Sequence, residues 1–138
     1  EWEVMRVVWA NGRVTSKEVI SILKEKMDWK QATTKTLLGR LVEKGALNTE
    51  QEGRKYIYSA NIEEKEAVRS FTNDIFDRIC RKNVGNVIES IIKDHTLSFD
   101  DIQRLEEILE MKKAFAVEEV DCQCAEGQCD CHLHHHGE

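Results

Sequence analysis

WKQATTKTLLGRLVEKG, residues 29–45, is the stretch on which the fold turns. At 3.6 residues per turn, Leu37, Leu38, Leu41 and Val42 fall on one stripe of a helix, and Thr34 points the same way. The opposite face carries Ala32, Lys35, Thr36, Gly39, Arg40 and Glu43, and Gly45 supplies a C-terminal stop. Small side chains on an exposed face permit close approach to a surface. Lys, Arg and Thr add donors for base edges and phosphates, as a helix entering a major groove needs. Yet a helix with cations outside is usually only a solvated face, so this segment alone leaves both readings open.

Working outward, residues 3–12 (EVMRVVWANG) read as a short helix with Val4, Val7 and Val8 inside and Gly12 at its end. Thr15 to Glu18 fits a capping box, and Val19, Ile22 and Leu23 follow at helical spacing. Past residue 45, the runs ALNT and KYIYSA flank the polar EQEGR and predict a β-hairpin. Its tip presents Arg54 and Lys55, with Tyr56 next, all suited to phosphate or sugar contacts. Three helices followed by a hairpin is the order of a winged helix-turn-helix.

Residues 61–64 offer a further helix start, after which Val68, Phe71, Ile75 and Ile79 form an apolar stripe. Val84, Val87, Ile88, Ile91 and Ile92 make a second, and Ser98 to Asp101 caps a last helix bearing Ile102, Leu105, Ile108 and Leu109. Three amphipathic helices cannot close a deep core alone, so their cheapest burial is against a copy of themselves. A homodimer is therefore expected, with Val68, Phe71, Ile75, Ile88, Ile91, Ile102, Leu105 and Leu109 as its contact residues. Cys80, beside Ile79, reads as a small buried hydrophobe. The expected fold is mainly α with a small β-hairpin wing. Its regions are a winged-helix DNA-binding domain at 1–60, a helical dimerisation domain at 61–117 and a metal-binding tail at 118–138.

With 138 residues, 41% hydrophobic and 33% charged, the chain suits one ordinary domain or two small ones. No apolar run approaches the roughly 18 residues that span a bilayer, and acids stand where a signal peptide is basic, so a cytoplasmic protein is expected. The chain starts without Met, which reads as the loss of a few residues. Residues 1–60 hold 11 Lys/Arg against 8 Asp/Glu, a net +3 within a chain of net −6. The basic half can meet a polyanion locally, since screening limits repulsion beyond about 10 Å. Paired carboxylates, a nucleophile with its base and a phosphate-binding Gly loop are not found in the sequence, so no enzyme is expected.

The tail carries CQCAEGQCDC, placing Cys122, Cys124, Cys129 and Cys131 in a C-x-C-x4-C-x-C pattern. A reducing cytosol disfavours disulfides, and a Gly-containing tail offers no pocket for an activated nucleophile. Metal binding is left. Four thiolates suit tetrahedral Zn(II) at about 2.3 Å per bond. C-x-C pairs favour clusters of soft Cu(I), so the tail suits one Zn(II) or two Cu(I). His132, His134, His135 and His136 read as ancillary ligands, a solvated tail or a purification remnant.

Trp29, Thr33, Thr36-Leu37, Arg40-Leu41, Lys44-Gly45 and Leu47 resemble the signature of the BlaI/MecI/CopY repressors. The resemblance extends to the opening W-x-V-M-x-V-x-W and to the later L-S-x-D-D-x-x-x-L. It implies a dimeric winged-helix repressor with an N-terminal DNA-binding part and a C-terminal dimerisation part. On the helix face and this resemblance together, the residues expected at DNA are Ala32, Thr33, Lys35, Thr36, Arg40, Lys44, Arg54, Lys55 and Tyr56. Lys30 stands where relatives often have a capping Ser or Thr, which leaves that cap to Asp28. The tail is similar to the metal motif of the copper-responsive branch. That resemblance implies a Zn(II) form that binds operator DNA. It also implies Cu(I), delivered by a copper chaperone, that displaces the zinc, frees the DNA and turns on copper export. Four thiolates with one Zn(II) or with two Cu(I) carry −2 either way, so a geometric switch rather than charge repulsion is expected. Two competing functions are a copper-sequestering carrier and an antibiotic-resistance-type repressor with a structural zinc clip.

Overall fold

The computed structural model describes residues 1–129. Its elements are α1 (Trp2–Asn11), β1 (Arg13–Thr15), α2 (Ser16–Met27), α3 (Gln31–Glu43), β2 (Leu47–Glu52), β3 (Lys55–Ala60), α4 (Glu64–Asp77), α5 (Val84–Asp94) and α6 (Phe99–Lys112). Single 3-10 turns occupy Arg81–Asn83 and Lys113–Phe115. The chain divides into two units within α4: Glu1–Phe71, and a second that starts at Thr72. The first is the winged helix-turn-helix expected from the sequence.

Its core is a continuous apolar cluster drawn from every early element. Val4 and Val8 of α1, Val14 of β1, Val19 and Leu23 of α2, Leu38 and Leu41 of α3, and Leu47 of β2 are all buried. Leu37 and Val42 pack on its edge. Thr34 is fully buried too, and its hydroxyl has no partner among the described residues. Ile22, expected inside, is exposed. At 100° per residue it lies about 80° round α2 from the mean direction of Val19 and Leu23.

The caps explain where the helices begin and end. Thr15 Oγ1 accepts from the Glu18 N–H at 3.2 Å, and Glu18 Oε1 accepts from the Thr15 N–H at 3.0 Å. The Thr15 N–H and the Thr15 hydroxyl, which also donates to Oε1 at 2.8 Å, hold the Glu18 carboxyl below its ordinary value. Asp28 does not cap α3, contrary to the sequence reading. It ends α2 in a left-handed conformation (φ 56°), and Lys30 occupies the α3 N-cap with no side-chain hydrogen bond. At the other end of α3, Ala46 N–H donates to Leu41 O and Gly45 N–H to Val42 O, with Gly45 at φ 82°. That is the Schellman pattern, and the left-handed residue it needs is the glycine.

The wing is longer than expected. Much of EQEGR, expected to turn, is strand: Glu50, Gln51 and Glu52 pair with Ile57, Tyr56 and Lys55. Only Gly53 and Arg54 form the loop, and Gly53 supplies the positive φ (63°) that a tight hairpin requires. A third strand, β1, pairs with β3 to give the order β1-β3-β2. Asn61 does not start α4. Its side chain donates to Gly45 O at 2.8 Å and its N–H to Ala46 O at 2.9 Å, tying the end of the wing to the end of α3.

In the second unit Ser98 and Asp101 form the expected capping box at the start of α6. Burial differs from the first unit. Among its described residues, Cys80 is the one hydrophobic side chain that is buried within the single chain. Among the dimer residues expected from the sequence, Val68, Phe71, Ile75, Ile88, Ile91, Ile102 and Leu109 are 43–57% exposed, and Leu105 is half-buried. No described helix is long and apolar enough to cross a membrane.

Candidate nucleic-acid interface and metal centre

α3 presents Ala32, Thr33, Lys35, Thr36, Gly39 and Arg40 to solvent on the side opposite Leu38 and Leu41. Thirteen residues give a rod about 20 Å long and about 10–12 Å across, the width of a major groove. The Thr36 hydroxyl donates to Ala32 O at 2.9 Å, so it faces outward as an acceptor. A Cβ added at Gly39 would meet nothing within 4 Å, so packing within the chain does not require the glycine. Arg54 and Lys55 stand at the hairpin tip, and Tyr56 beside them is half-exposed.

Lys44 is exposed as well, but its Nζ lies 2.6 Å from Glu1 Oε1. That hydrogen bond and charge hold the Glu1 carboxyl below its ordinary value. Lys26 does the same to Glu3 at 2.6 Å. Arg13 on β1 faces Glu50 and Glu52 of β2 at 3.5 and 3.7 Å. All nine expected DNA-contact residues are exposed, and Lys44 is the one of them in an ion pair among the described residues, with Glu1.

In the second unit the tail returns to the turn between α4 and α5. Cys80, Cys122, Cys124 and Cys129 bring their Sγ atoms within 4.8 Å of one another. Cys122 Sγ lies 3.5 Å from Cys80 Sγ and 3.4 Å from Cys129 Sγ, far beyond the roughly 2.05 Å of a disulfide. Four sulfurs around Zn(II) at about 2.3 Å stand about 3.8 Å apart, so these spacings fit a tetrahedral thiolate site. The Cys124 N–H points at Cys122 Sγ at 3.5 Å, a hydrogen bond that stabilises a thiolate. Without a cation, crowding pushes the Cys124 thiol up to about 12; hydrogen bonding with Cys122 is the largest cause, followed by burial.

Three of the four tail cysteines identified from the sequence therefore come together. Cys131 and the histidines His132, His134, His135 and His136 lie outside the described residues. Cys80, read as a lone buried hydrophobe, stands instead inside the sulfur cluster. Its sequence distance of 42 residues from Cys122 hid the relation. The available signal was that a fifth cysteine occurs at all in a chain with a four-thiol motif.

Comparison with known proteins shows the family of the chain. The penicillinase repressor family model matches residues 1–111, ending ahead of the tail cysteines. A 16.5 kDa protein of Latilactobacillus sakei is 45% identical over 131 residues, 95% of this chain and 90% of that protein. The penicillinase repressor of Bacillus licheniformis is 33% identical over 113 residues, 82% of this chain and 88% of its own. The solution structure of the DNA-binding domain of the repressor BlaI covers 46% of this chain and 78% of its own, at 42% identity and a TM-score of 0.44.

Proposed function

The chain belongs to the penicillinase repressor family of DNA-binding, non-enzymatic transcriptional repressors, and on that premise we propose that it is a copper-responsive repressor that binds operator DNA as a homodimer. The observation that carries the metal reading is the cluster of four Sγ atoms within 4.8 Å, and the C-x-C spacing of the tail is what favours Cu(I). Soft thiolate sets select Zn(II) and Cu(I) over hard cations.

Ala32, Thr33, Lys35, Thr36 and Arg40 of α3 enter the major groove, with Gly39 letting the helix approach. Arg54, Lys55 and Tyr56 of the wing touch the backbone, where cations position the protein rather than read sequence. Lys44 reaches a phosphate only by leaving Glu1. Exposed apolar faces of α4, α5 and α6 support pairing with a second copy, which sets two recognition helices about 34–36 Å apart. Cys122, Cys124 and Cys129 of the tail hold the metal, and Cys131 is a further thiolate of the same motif. Zinc bound there supports the DNA-competent dimer, and Cu(I) in its place favours release. A coupling of about 1–3 kcal/mol changes operator affinity roughly 5- to 150-fold.

The test is binding of zinc-loaded protein to a labelled palindromic duplex from its own promoter region, followed by Cu(I) added without oxygen. Release at about two Cu(I) per chain, abolished by Cys122→Ser with Cys124→Ser, is the expected result. Tight binding indifferent to Cu(I) would leave a repressor whose cysteines are a structural clip. No DNA binding would instead point to a copper carrier.

A further inference from the structure

We infer that Cys80 is a metal ligand, the one member of the thiolate set that comes from the helical unit rather than the tail. The inference rests on the metal reading of the cluster and adds to it the residue that anchors the tail.

Cys80 caps the 3-10 turn Arg81–Asn83, between the end of α4 and the start of α5, in an extended conformation (φ −62°, ψ 135°). Its Sγ lies 3.5 Å from Cys122 Sγ, within the same 4.8 Å sphere as Cys124 and Cys129. A cysteine buried only as a small hydrophobe would be surrounded by carbon, yet no other described hydrophobic side chain of this unit is buried. Phe76, Ile79 and Val84 line its hollow but stay only half-buried, and three sulfurs lie within 4.8 Å of its own. Arg78 and Arg81 line the hollow that holds Cys80 and Cys124, together with Asp77. The two guanidinium groups bring positive charge to the −2 of a metal with four thiolates, against Asp77 in the hollow and Asp121 and Glu126 in the tail. Lys82 and Glu119, 3.8 Å apart, add only a weak ion pair to this link, since Glu119 is largely exposed.

The set Cys80, Cys122, Cys124 and Cys129 completes a tetrahedron by itself. Bound metal then fastens the tail to the joint between α4 and α5, so occupancy acts directly on the helices that pair. A tail that held its metal alone would have no such grip.

The experiment is a proton–cadmium correlation spectrum of the intact chain loaded with 113Cd(II), which reports each cysteine bonded to the metal through its β-protons. Cross-peaks from Cys80 together with Cys122, Cys124 and Cys129 are expected. Cross-peaks from tail cysteines without Cys80 would overturn the inference and leave the copper-repressor reading standing. A chain that binds no Cd(II) or Zn(II) would overturn both. As a second measurement, Cys80→Ser should weaken zinc by more than the roughly 10–100-fold that loss of a supporting hydrogen bond costs. Unchanged zinc affinity in a variant with wild-type circular dichroism would contradict the role.

Discussion

The two units bury their apolar residues in opposite ways. Residues Glu1–Phe71 close a dry core on themselves, with Val4, Val8, Val19, Leu23 and Leu38 almost fully removed from water. From Thr72 onward, Cys80 alone among the described hydrophobic side chains is buried in the single chain, while Ile88, Ile91 and Leu109 stay open. A fully buried aliphatic side chain contributes about 1.5–3 kcal/mol. The first unit has that contribution from its own residues, and the second must find it in a partner copy or in metal bonds. On the proposed function the contrast divides the labour: a fixed module for reading DNA, and an assembly module whose state something else can set.

The comparison can be broken most severely at the open faces. Ile91→Asp should raise the dimer dissociation constant about 100-fold or more, because two copies each lose roughly 1.5–3 kcal/mol of burial. Sedimentation at micromolar concentration reads this, and an unshifted dimer would remove these faces from the interface. In the closed module, Leu38→Ala should cost about 2–5 kcal/mol of unfolding free energy, measured by denaturant titration. A cost well under 1 kcal/mol would mean the core is looser than its burial indicates.

Smaller effects sharpen the picture. Gly39→Ala should stabilise the winged unit by up to about 1 kcal/mol, since helix propensity improves and the added Cβ meets nothing. The same change should weaken operator binding. Gain in both stability and affinity would show that the glycine does not serve close approach. The smallest effect concerns pH. Glu18 is depressed chiefly by its hydrogen bonds to Thr15, so its contribution is present above its unfolded value near 4.5 and fades as pH falls through the lower folded one. Glu18→Gln keeps the capping geometry without the charge and should flatten that part of the acid limb in thermal melts. An identical acid limb would assign the loss to Glu1, Glu3 and Asp101, which are lowered as well.

Periodicity made the winged helix legible: the α3 stripe, the Thr15–Glu18 and Ser98–Asp101 boxes and the hairpin all follow from spacing of apolar and capping residues. β1 was not, because three residues carry no period and its pairing with β3 spans more than forty positions. The length of β2 was hidden because Glu50 and Glu52 are exposed strand residues opposite Arg13, polar enough to imitate a turn. Asp28 and Asn61 illustrate a common ambiguity. Both are good caps, yet one ends the helix before it and the other ties two loops together. The tail thiols were legible as a metal motif, whereas Cys80 joins them only through the three-dimensional return of the chain.

The measurement that most directly tests the division of labour follows one fluorescent operator duplex with two proteins, the full chain and residues 1–71, each titrated with Cu(I) without oxygen. The account predicts that the zinc-loaded full chain lets go of the duplex, while the winged unit keeps its weaker complex at every copper concentration. Release of residues 1–71 at the same copper level would contradict it, because the switch would then lie in the module that reads DNA.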